Sequence, residues 1–195
     1  METGLLFYDF GWSLGTSSNY SILMSDSPFR LLLTASGKDK SRLEEEDFVL
    51  VDDLGQPAEP ARGKPSAETM LHVMLARRPG VGAVLHTHSV WGTMLSEDQR
   101  GIGGLAIEGY EMLKGLAGVK THEHREWVNI FNNSQDIPTL SGKVEEYLDK
   151  DDNWSKSHGF LIRRHGLYTW GKDIEEARRH VEIFEFLFEV IGRGR

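Results

Sequence analysis

Three short runs rich in apolar and β-branched residues follow one another near the start of the chain, before any helical pattern appears. They occupy residues 19–24, 29–34 and 47–52, and turn-forming residues separate them. A helical pattern follows at 66–76, where an RRPG segment ends it. Several strands in a row before a helix do not fit a strict alternation of strand and helix. The order therefore predicts an α/β fold with a mixed, largely antiparallel sheet flanked by helices.

The last helix has the clearest pattern in the chain. Asp173 and Glu176 have the spacing of a capping box, and apolar residues then recur at steps of three and four. Four further apolar residues lie beside this stripe: Ile183, Phe186, Leu187 and Val190. A helix that is apolar on more than one side needs deep burial or contact with another chain. Weaker patterns predict strands over 82–88 and within 159–171, and helices within 107–118 and over 142–150.

The composition predicts one globular domain over residues 1–195 and excludes several classes of function. The formal net charge is −8, so no basic face for nucleic acid is expected. No apolar run is long enough to span a bilayer, and no basic-then-apolar leader is visible, so neither a membrane nor secretion is expected. Cysteine is absent, which excludes disulfides and fits a reducing, cytoplasmic location.

Two histidines lie one residue apart in the apolar segment AVLHTHSVWGTML. On a strand, His86 and His88 project to the same face, as a pair of metal ligands would. His165 is a candidate third ligand, because three histidines with one open position are typical of catalytic zinc sites. The pair alone also fits ordinary hydrogen-bonded histidines. A second pair, His122 and His124, lies in the polar segment KTHEHREW and is predicted to be a solvated loop.

Three ordered motifs resemble the class II aldolase family of zinc-dependent sugar-phosphate enzymes. Adducin-like scaffold modules have the same fold as this family. The three motifs are KPSAE at 64–68, HTH at 86–88 and RRHGLYTWG at 163–171. Further motifs resemble a branch that dehydrates a ketose 1-phosphate: GWSLGTSSNYS, TASGKDK, EGYEMLKGLAG and NSQDI. The resemblance implies a three-layer α/β/α sandwich around a mainly antiparallel sheet. It also implies one zinc ion per subunit, held by these three histidines, and a cyclic homotetramer with sites near subunit boundaries.

Three small polar segments are candidates for binding the substrate phosphate. Ser17 and Asn19 precede a predicted strand, Ser36 and Gly37 form a second loop, and Ser66 lies at the start of the predicted helix 66–76. Helix N-termini offer free N–H groups to anions. Taken singly, these serines also fit the roles of turn and helix-capping residues. The resemblance favours phosphate binding.

The chain departs from the family in both of its first two polar loops. Ser18 stands where relatives often have glycine, and Ala35 stands where they often have proline. Neither change removes a metal ligand, but both affect the geometry expected for a phosphate loop.

Two glutamates are candidates for proton transfer. Glu111 matches the acid-base residue of the dehydratases, and Glu68 matches a glutamate beside the metal in the aldolases. For dehydration, Glu111 would take the C3 proton and assist departure of the C4 hydroxyl, with Glu68 as the second candidate. Two alternatives remain: an aldolase or epimerase of the fuculose or ribulose phosphate type, and a non-catalytic scaffold module, which in this family has lost metal ligands.

Overall fold

The computed structural model describes residues 1–60 and 63–194 and contains one eight-stranded mixed sheet in that part of the chain. The strand order is β3-β2-β1-β4-β8-β7-β6-β5, and every neighbouring pair is antiparallel except β6 and β7. The strands are β1 (Asn19–Asp26), β2 (Phe29–Thr34), β3 (Phe48–Val51), β4 (Ala83–Thr87), β5 (Gly104–Ile107), β6 (Glu126–Phe131), β7 (Gly159–Ile162) and β8 (Gly166–Gly171). The expected mainly antiparallel sheet is confirmed.

Helices cover both faces of this sheet. They are α1 (Glu2–Asp9), α2 (Thr69–Ala76), α3 (Val90–Asp98), α4 (Ile137–Asp149), α5 (Asn153–Lys156) and α6 (Ile174–Arg193). The described part of the chain also has three short 3-10 helices, at Lys40–Arg42, Glu45–Asp47 and Glu111–Gly115. Within the described residues, no helix is long and apolar enough to cross a bilayer.

The alternation of side chains along the strands divides the core between the two faces. On one face, Val84 and Trp170 pack with apolar residues of α2 and α4. On the other face, Leu85 packs with α1 and α6, and Leu161 packs with α3 and α6. Successive strand residues point to opposite sides, so each central strand contributes to both layers. The three-layer α/β/α arrangement implied by the family resemblance is confirmed.

The helix expected over 66–76 begins later, at Thr69. The hydroxyl of Ser66 accepts a hydrogen bond from the Glu68 amide (3.2 Å), and its carbonyl accepts from the Thr69 amide (3.1 Å). These bonds form a turn that competes with helix in this segment. Ser66 is therefore outside the helix, and Glu68 is the N-cap residue rather than part of the first turn.

The segment 159–171 contains a hairpin rather than one strand. β7 and β8 pair antiparallel, and residues 163–165 form the turn between them, with Arg164 in the left-handed region at φ 53°. His165 therefore lies in a turn, which corrects the expected strand context. His88 likewise lies just beyond the end of β4, where its amide donates to the Trp12 carbonyl (2.8 Å).

The N-terminus of α6 matches the prediction, but its apolar flank does not. The Asp173 carboxylate accepts from the Glu176 amide (2.8 Å) and caps the helix. Ile183 and Leu187, expected to be surplus apolar surface, are buried within the chain against β5, β7 and α3. Of the four flanking residues, only Phe186 is largely exposed, at 47%. The sequence pattern could not show this because it does not reveal how much of α6 the sheet covers.

The pattern analysis missed α1, α3, α5, β5 and β6. Strand β5 has only four residues, too few for an alternating pattern to stand out. Helix α3 contains Val90 and Gly92, which have weak helix propensity, although Ser89 caps it by accepting from the Gly92 amide (3.0 Å). The segment 107–118 forms the 3-10 helix Glu111–Gly115, and α4 begins at Ile137, earlier than expected.

Candidate active site

Three histidine side chains converge at one end of the sheet. The Nε2 atom of His86 lies 2.8 Å from Nε2 of His88 and 3.3 Å from Nε2 of His165. The turn between β7 and β8 brings His165 beside β4, and Gly166 permits the approach because a Cβ there would lie 1.8 Å from the Thr87 carbonyl oxygen. The predicted histidines therefore meet, although two of them lie outside strands.

The tautomer of His86 leaves the lone pair of its Nε2 atom facing the other two histidines. Nδ1 of His86 donates to the Leu167 carbonyl (2.8 Å), so its Nε2 atom carries no proton when the ring is neutral. Burial, with the two neighbouring histidines, lowers the pKa of His86 well below its usual value. Burial and the adjacent His165 lower the pKa of His88 to about 4. Imidazole nitrogens that converge in this way are suited to a divalent metal ion.

Glu68 completes the cluster from the N-terminus of α2. Its Oε2 atom lies 3.6 Å from Nε2 of His86, and its Oε1 atom lies 3.3 Å from Nε2 of His165. Oε2 also accepts a hydrogen bond from the Asn19 amide (2.7 Å), whereas Oε1 is buried without a hydrogen-bond partner. An unsatisfied buried carboxylate oxygen among three imidazoles fits a cation, and this donor set matches the nitrogen and oxygen ligands of divalent metals.

A cavity of about 280 Å³ opens beside this cluster. His88, His165 and Glu68 form part of its wall. The remaining wall includes all five predicted phosphate-binding residues: Ser17, Asn19, Ser36, Gly37 and Ser66. His88, His165 and Glu68 thus face the same space as the polar loops, and this space is large enough for a phosphorylated small molecule.

The two departures from the family pattern have visible structural consequences. Ser18 has φ 70°, a left-handed conformation in which glycine is unstrained and serine is not. Its hydroxyl accepts from Ser13 (2.9 Å) and donates to the Trp12 carbonyl (3.3 Å), which offsets part of that strain. The Ala35 amide donates to the Asp47 carbonyl (2.7 Å), a bond that a proline at this position could not make.

Sequence reasoning missed one part of the cavity wall. Asn133, Ser134 and Gln135 line it from the loop before α4. The NSQDI motif contributed to the resemblance, and its polar residues before a helix capped by Asp136 were the available signal for a ligand-binding loop.

Glu111 does not line this cavity. It begins the exposed 3-10 helix Glu111–Gly115, where its carboxylate forms ion pairs with Lys114 (2.8 Å) and His122 (3.4 Å). Lys114 lowers the pKa of Glu111. Within one chain, the structure therefore brings Glu68, but not Glu111, next to the three histidines.

The rival histidine pair is divided between two environments. His122 is half exposed, as expected of a solvated loop, whereas His124 binds the fully buried carboxylate of Glu126 (2.8 Å). Nδ1 of His158 lies 2.9 Å from the same carboxylate, and its Nε2 lies 2.8 Å from the Ala117 carbonyl. Both of these partners accept hydrogen bonds, so the site favours the protonated ring of His158, which donates from both nitrogens. The solvated-loop expectation was wrong for the side chain of His124, which contacts the buried carboxylate of Glu126 two residues further along the chain.

The model of the class II aldolase and adducin N-terminal domain family matches residues 1–191. The chain therefore belongs to this family, as the motifs predicted. It is 48% identical over 190 residues to a methylthioribulose-1-phosphate dehydratase of Pseudomonas paraeruginosa, covering 97% of this chain and 89% of the relative. It is 49% identical over 179 residues to a dehydratase of the same name from Xanthomonas campestris pv. campestris, covering 91% and 79%.

Solved structures support the same fold at lower identity. L-fuculose-1-phosphate aldolase from Thermus thermophilus has a TM-score of 0.74 and 21% identity, covering 97% of this chain and 90% of that structure. A sugar-phosphate aldolase from Thermotoga maritima has a TM-score of 0.70 and 19% identity, covering 98% and 91%. The family is typically metal-dependent, in agreement with the cluster of histidines and glutamate.

Proposed function

We propose that this protein is a hydro-lyase that removes water from 5-methylthioribulose 1-phosphate, giving 2,3-diketo-5-methylthiopentyl 1-phosphate in methionine salvage. The observation that carries the proposal is the near full-length similarity, at 48–49% identity, to proteins named methylthioribulose-1-phosphate dehydratase. The geometry supports it, because the histidine cluster and three polar loops border one cavity. The proposed location is the cytoplasm.

Zinc, one ion per subunit, is the proposed metal, and His86, His88 and His165 would hold it. A bound divalent ion supplies Lewis-acid polarisation of the substrate carbonyl, which makes the neighbouring C3 hydrogen more acidic. Glu68 lies within 3.6 Å of two of these histidines and would complete or border the metal shell.

The polar loops would hold the 1-phosphate and fix the distance between the phosphate and the reacting carbons. Asn19 and Ser66 line the cavity, while Gly37 has φ 75°, a conformation in which the absence of a Cβ leaves its backbone accessible to a ligand. Ser17 and Ser36 line the same wall. Orientation of this kind lowers the entropic part of the barrier.

Glu111 is the proposed acid-base residue, and a neighbouring subunit would supply it. Its carboxylate would take the proton from C3 and then protonate the hydroxyl leaving C4, after which the enol product becomes the diketone. In support, Glu111 is exposed on one chain and adjoins Met112, an apolar side chain that is 39% exposed. Contact with a second chain in a homotetramer would desolvate both side chains.

Aldol cleavage is the second candidate because Glu68, the glutamate shared with the aldolases, is the acid that lies beside the histidines. Product analysis separates the two reactions. The metal-loaded protein should convert 5-methylthioribulose 1-phosphate to a diketone phosphate that keeps all the substrate carbons, as identified by mass spectrometry. Release of dihydroxyacetone phosphate as the main product would overturn dehydration in favour of an aldolase.

A further inference from the structure

His72 is a buried polar residue to which the proposed reaction assigns no role. It lies on α2, is fully inaccessible to solvent, and faces β1. Its Nδ1 atom lies 2.8 Å from the hydroxyl of Ser21, and its Nε2 atom contacts Oδ1 of Asn19. Asn19 and Ser21 point to the same face of β1 because they are two residues apart. The imidazole therefore bridges a residue of the candidate phosphate site and a serine in the core.

The direction of the Asn19 amide follows from its partners. Its Nδ2 atom lies 2.7 Å from Oε2 of Glu68 and 3.2 Å from the hydroxyl of Ser66. An ionised carboxylate only accepts hydrogen bonds, so the NH2 group must face Glu68 and the amide oxygen must face His72. That oxygen also only accepts, so Nε2 of His72 carries the proton and Nδ1 accepts from Ser21.

This network has one alternative arrangement. If the proton were on Nδ1 of His72, the Asn19 amide would have to rotate by half a turn and place its oxygen against the carboxylate of Glu68. Two acceptors would then face each other in a buried site, which costs free energy. Burial lowers the pKa of His72 to about 3, so the ring is neutral near neutral pH and has one N–H to place.

We propose that His72 is a positioning residue that holds the Asn19 amide with its N–H groups towards Glu68 and Ser66, two residues that line the phosphate cavity. The proposal rests on the phosphate site described above. His72 does not contact the cavity, so it acts through Asn19. Without its N–H, the Asn19 amide would lose the interaction that orients its oxygen, and phosphate would meet an amide in two orientations.

Two substitutions at position 72 test whether the N–H at the Nε2 position matters, apart from the size and polarity of the side chain. In His72→Gln the longer side chain can keep an N–H near the Nε2 position, whereas in His72→Asn the shorter one reaches only towards Ser21. We expect His72→Asn to weaken binding of inorganic phosphate and to raise KM for the ketose phosphate by about tenfold. His72→Gln should stay within about threefold of the wild type for both quantities, and both variants should keep the wild-type metal content.

A double-mutant cycle with Asn19→Ala tests the route of the effect. If His72 acts through Asn19, His72→Asn should cause no further loss of phosphate affinity in the Asn19→Ala protein. Independent effects that multiply in the double variant would overturn the proposal. So would equal impairment of His72→Gln and His72→Asn, which would indicate a purely structural role.

Nuclear magnetic resonance of ¹⁵N-histidine-labelled wild-type protein provides a readout that does not depend on variant folding or on the reaction. We expect His72 to be the neutral Nε2–H tautomer, and observation of the Nδ1–H tautomer would contradict the proposal.

Ser21→Ala should weaken phosphate binding less than His72→Asn does, with Ser141→Ala as the control at another buried serine. The tautomer and the coupling between His72 and Asn19 in phosphate affinity could both be as expected while the wild-type protein does not dehydrate the substrate. That result would reject the proposed reaction and support this role of His72.

Discussion

The carboxylate of Glu111 is exposed on a single chain, and its ion pair with Lys114 lowers its pKa. Such a group is a weak base, but desolvation at a subunit interface would raise its pKa towards the range useful for proton transfer. We expect Glu111→Gln to reduce kcat on the order of 100-fold or more, with little change in KM or metal content. Steady-state kinetics on 5-methylthioribulose 1-phosphate would measure this.

Glu108→Gln is the matched control for that substitution, because Glu108 is an equally exposed glutamate three residues earlier. Its kinetics should match those of the wild type. Near-normal turnover in Glu111→Gln would instead transfer the acid-base role to Glu68, which already lies beside the histidines.

The convergence of the three Nε2 atoms in the histidine cluster predicts that metal content depends strongly on each of the three residues. We expect His165→Ala to reduce bound metal well below one ion per chain, because a nitrogen donor 3.3 Å from Nε2 of His86 is lost. Elemental analysis of purified protein would measure the content. His122→Ala, at an exposed histidine outside the cluster, should keep the wild-type value, and an unchanged His165→Ala protein would refute the ligand assignment.

At the scale of elements, the parallel strands β6 and β7 are joined at their beginnings by the His158–Glu126 ion pair. Glu126 raises the pKa of His158 above 6.5 despite burial, and His158 lowers the pKa of Glu126 below 4.5. The histidine contribution to stability is complete below about pH 6.5 and is lost as the pH rises through the folded-state pKa. The glutamate contribution is complete above about pH 4.5 and is lost on further acidification.

We therefore expect the pair to stabilise the fold most between about pH 4.5 and 6.5. His158→Gln should lower the free energy of unfolding by about 1.5–3 kcal/mol in that range, with a smaller loss at higher pH. Urea denaturation at a series of pH values would measure the difference. His122→Gln, at an exposed histidine in the loop before β6, should leave the profile unchanged. A difference for His158→Gln that grows with pH would contradict the assignment.

At the scale of the whole molecule, several large apolar side chains on the helices are exposed on the single chain. Phe186 on α6 remains exposed, as do Leu5 on α1 and Met94 on α3. Because Ile183 and Leu187 are buried within the chain, α6 has less exposed apolar surface for contact with a second chain than its sequence predicted. Together with the family resemblance, the exposed residues predict a cyclic homotetramer. Light scattering at micromolar protein should give the tetramer mass, and a monomer mass would contradict it.

A site shared between subunits makes a further prediction for the assembly. Glu111→Gln subunits keep their histidines, and His165→Ala subunits keep Glu111. After the two inactive variants are co-expressed in equal amounts, roughly a quarter of the sites should combine intact histidines with an intact Glu111 from a neighbour. Activity of the mixture should therefore exceed that of either variant. No recovery in verified mixed tetramers would place all catalytic residues in one chain.

The sequence alone determined the features that depend on local order. The strand runs at 19–24 and 29–34 and the capped C-terminal helix were predicted because side-chain periodicity and capping operate within a few residues. The pairing of His86 with His88 followed from their spacing, and the ordered motifs identified the family. The polar loops around Asn19 and Ser36 were also visible as short patterns.

Only the tertiary structure decided which distant residues meet. The register of β4 with β8 pairs His86 with Tyr168 and so brings the turn bearing His165 beside the first two histidines. The late start of α2 places Glu68 at its N-cap, within reach of the same cluster. No local pattern encodes this register, because strand pairing depends on packing between segments far apart in the chain. For the same physical reason, the His72 contact with Asn19, across 53 residues, became visible only in the folded chain.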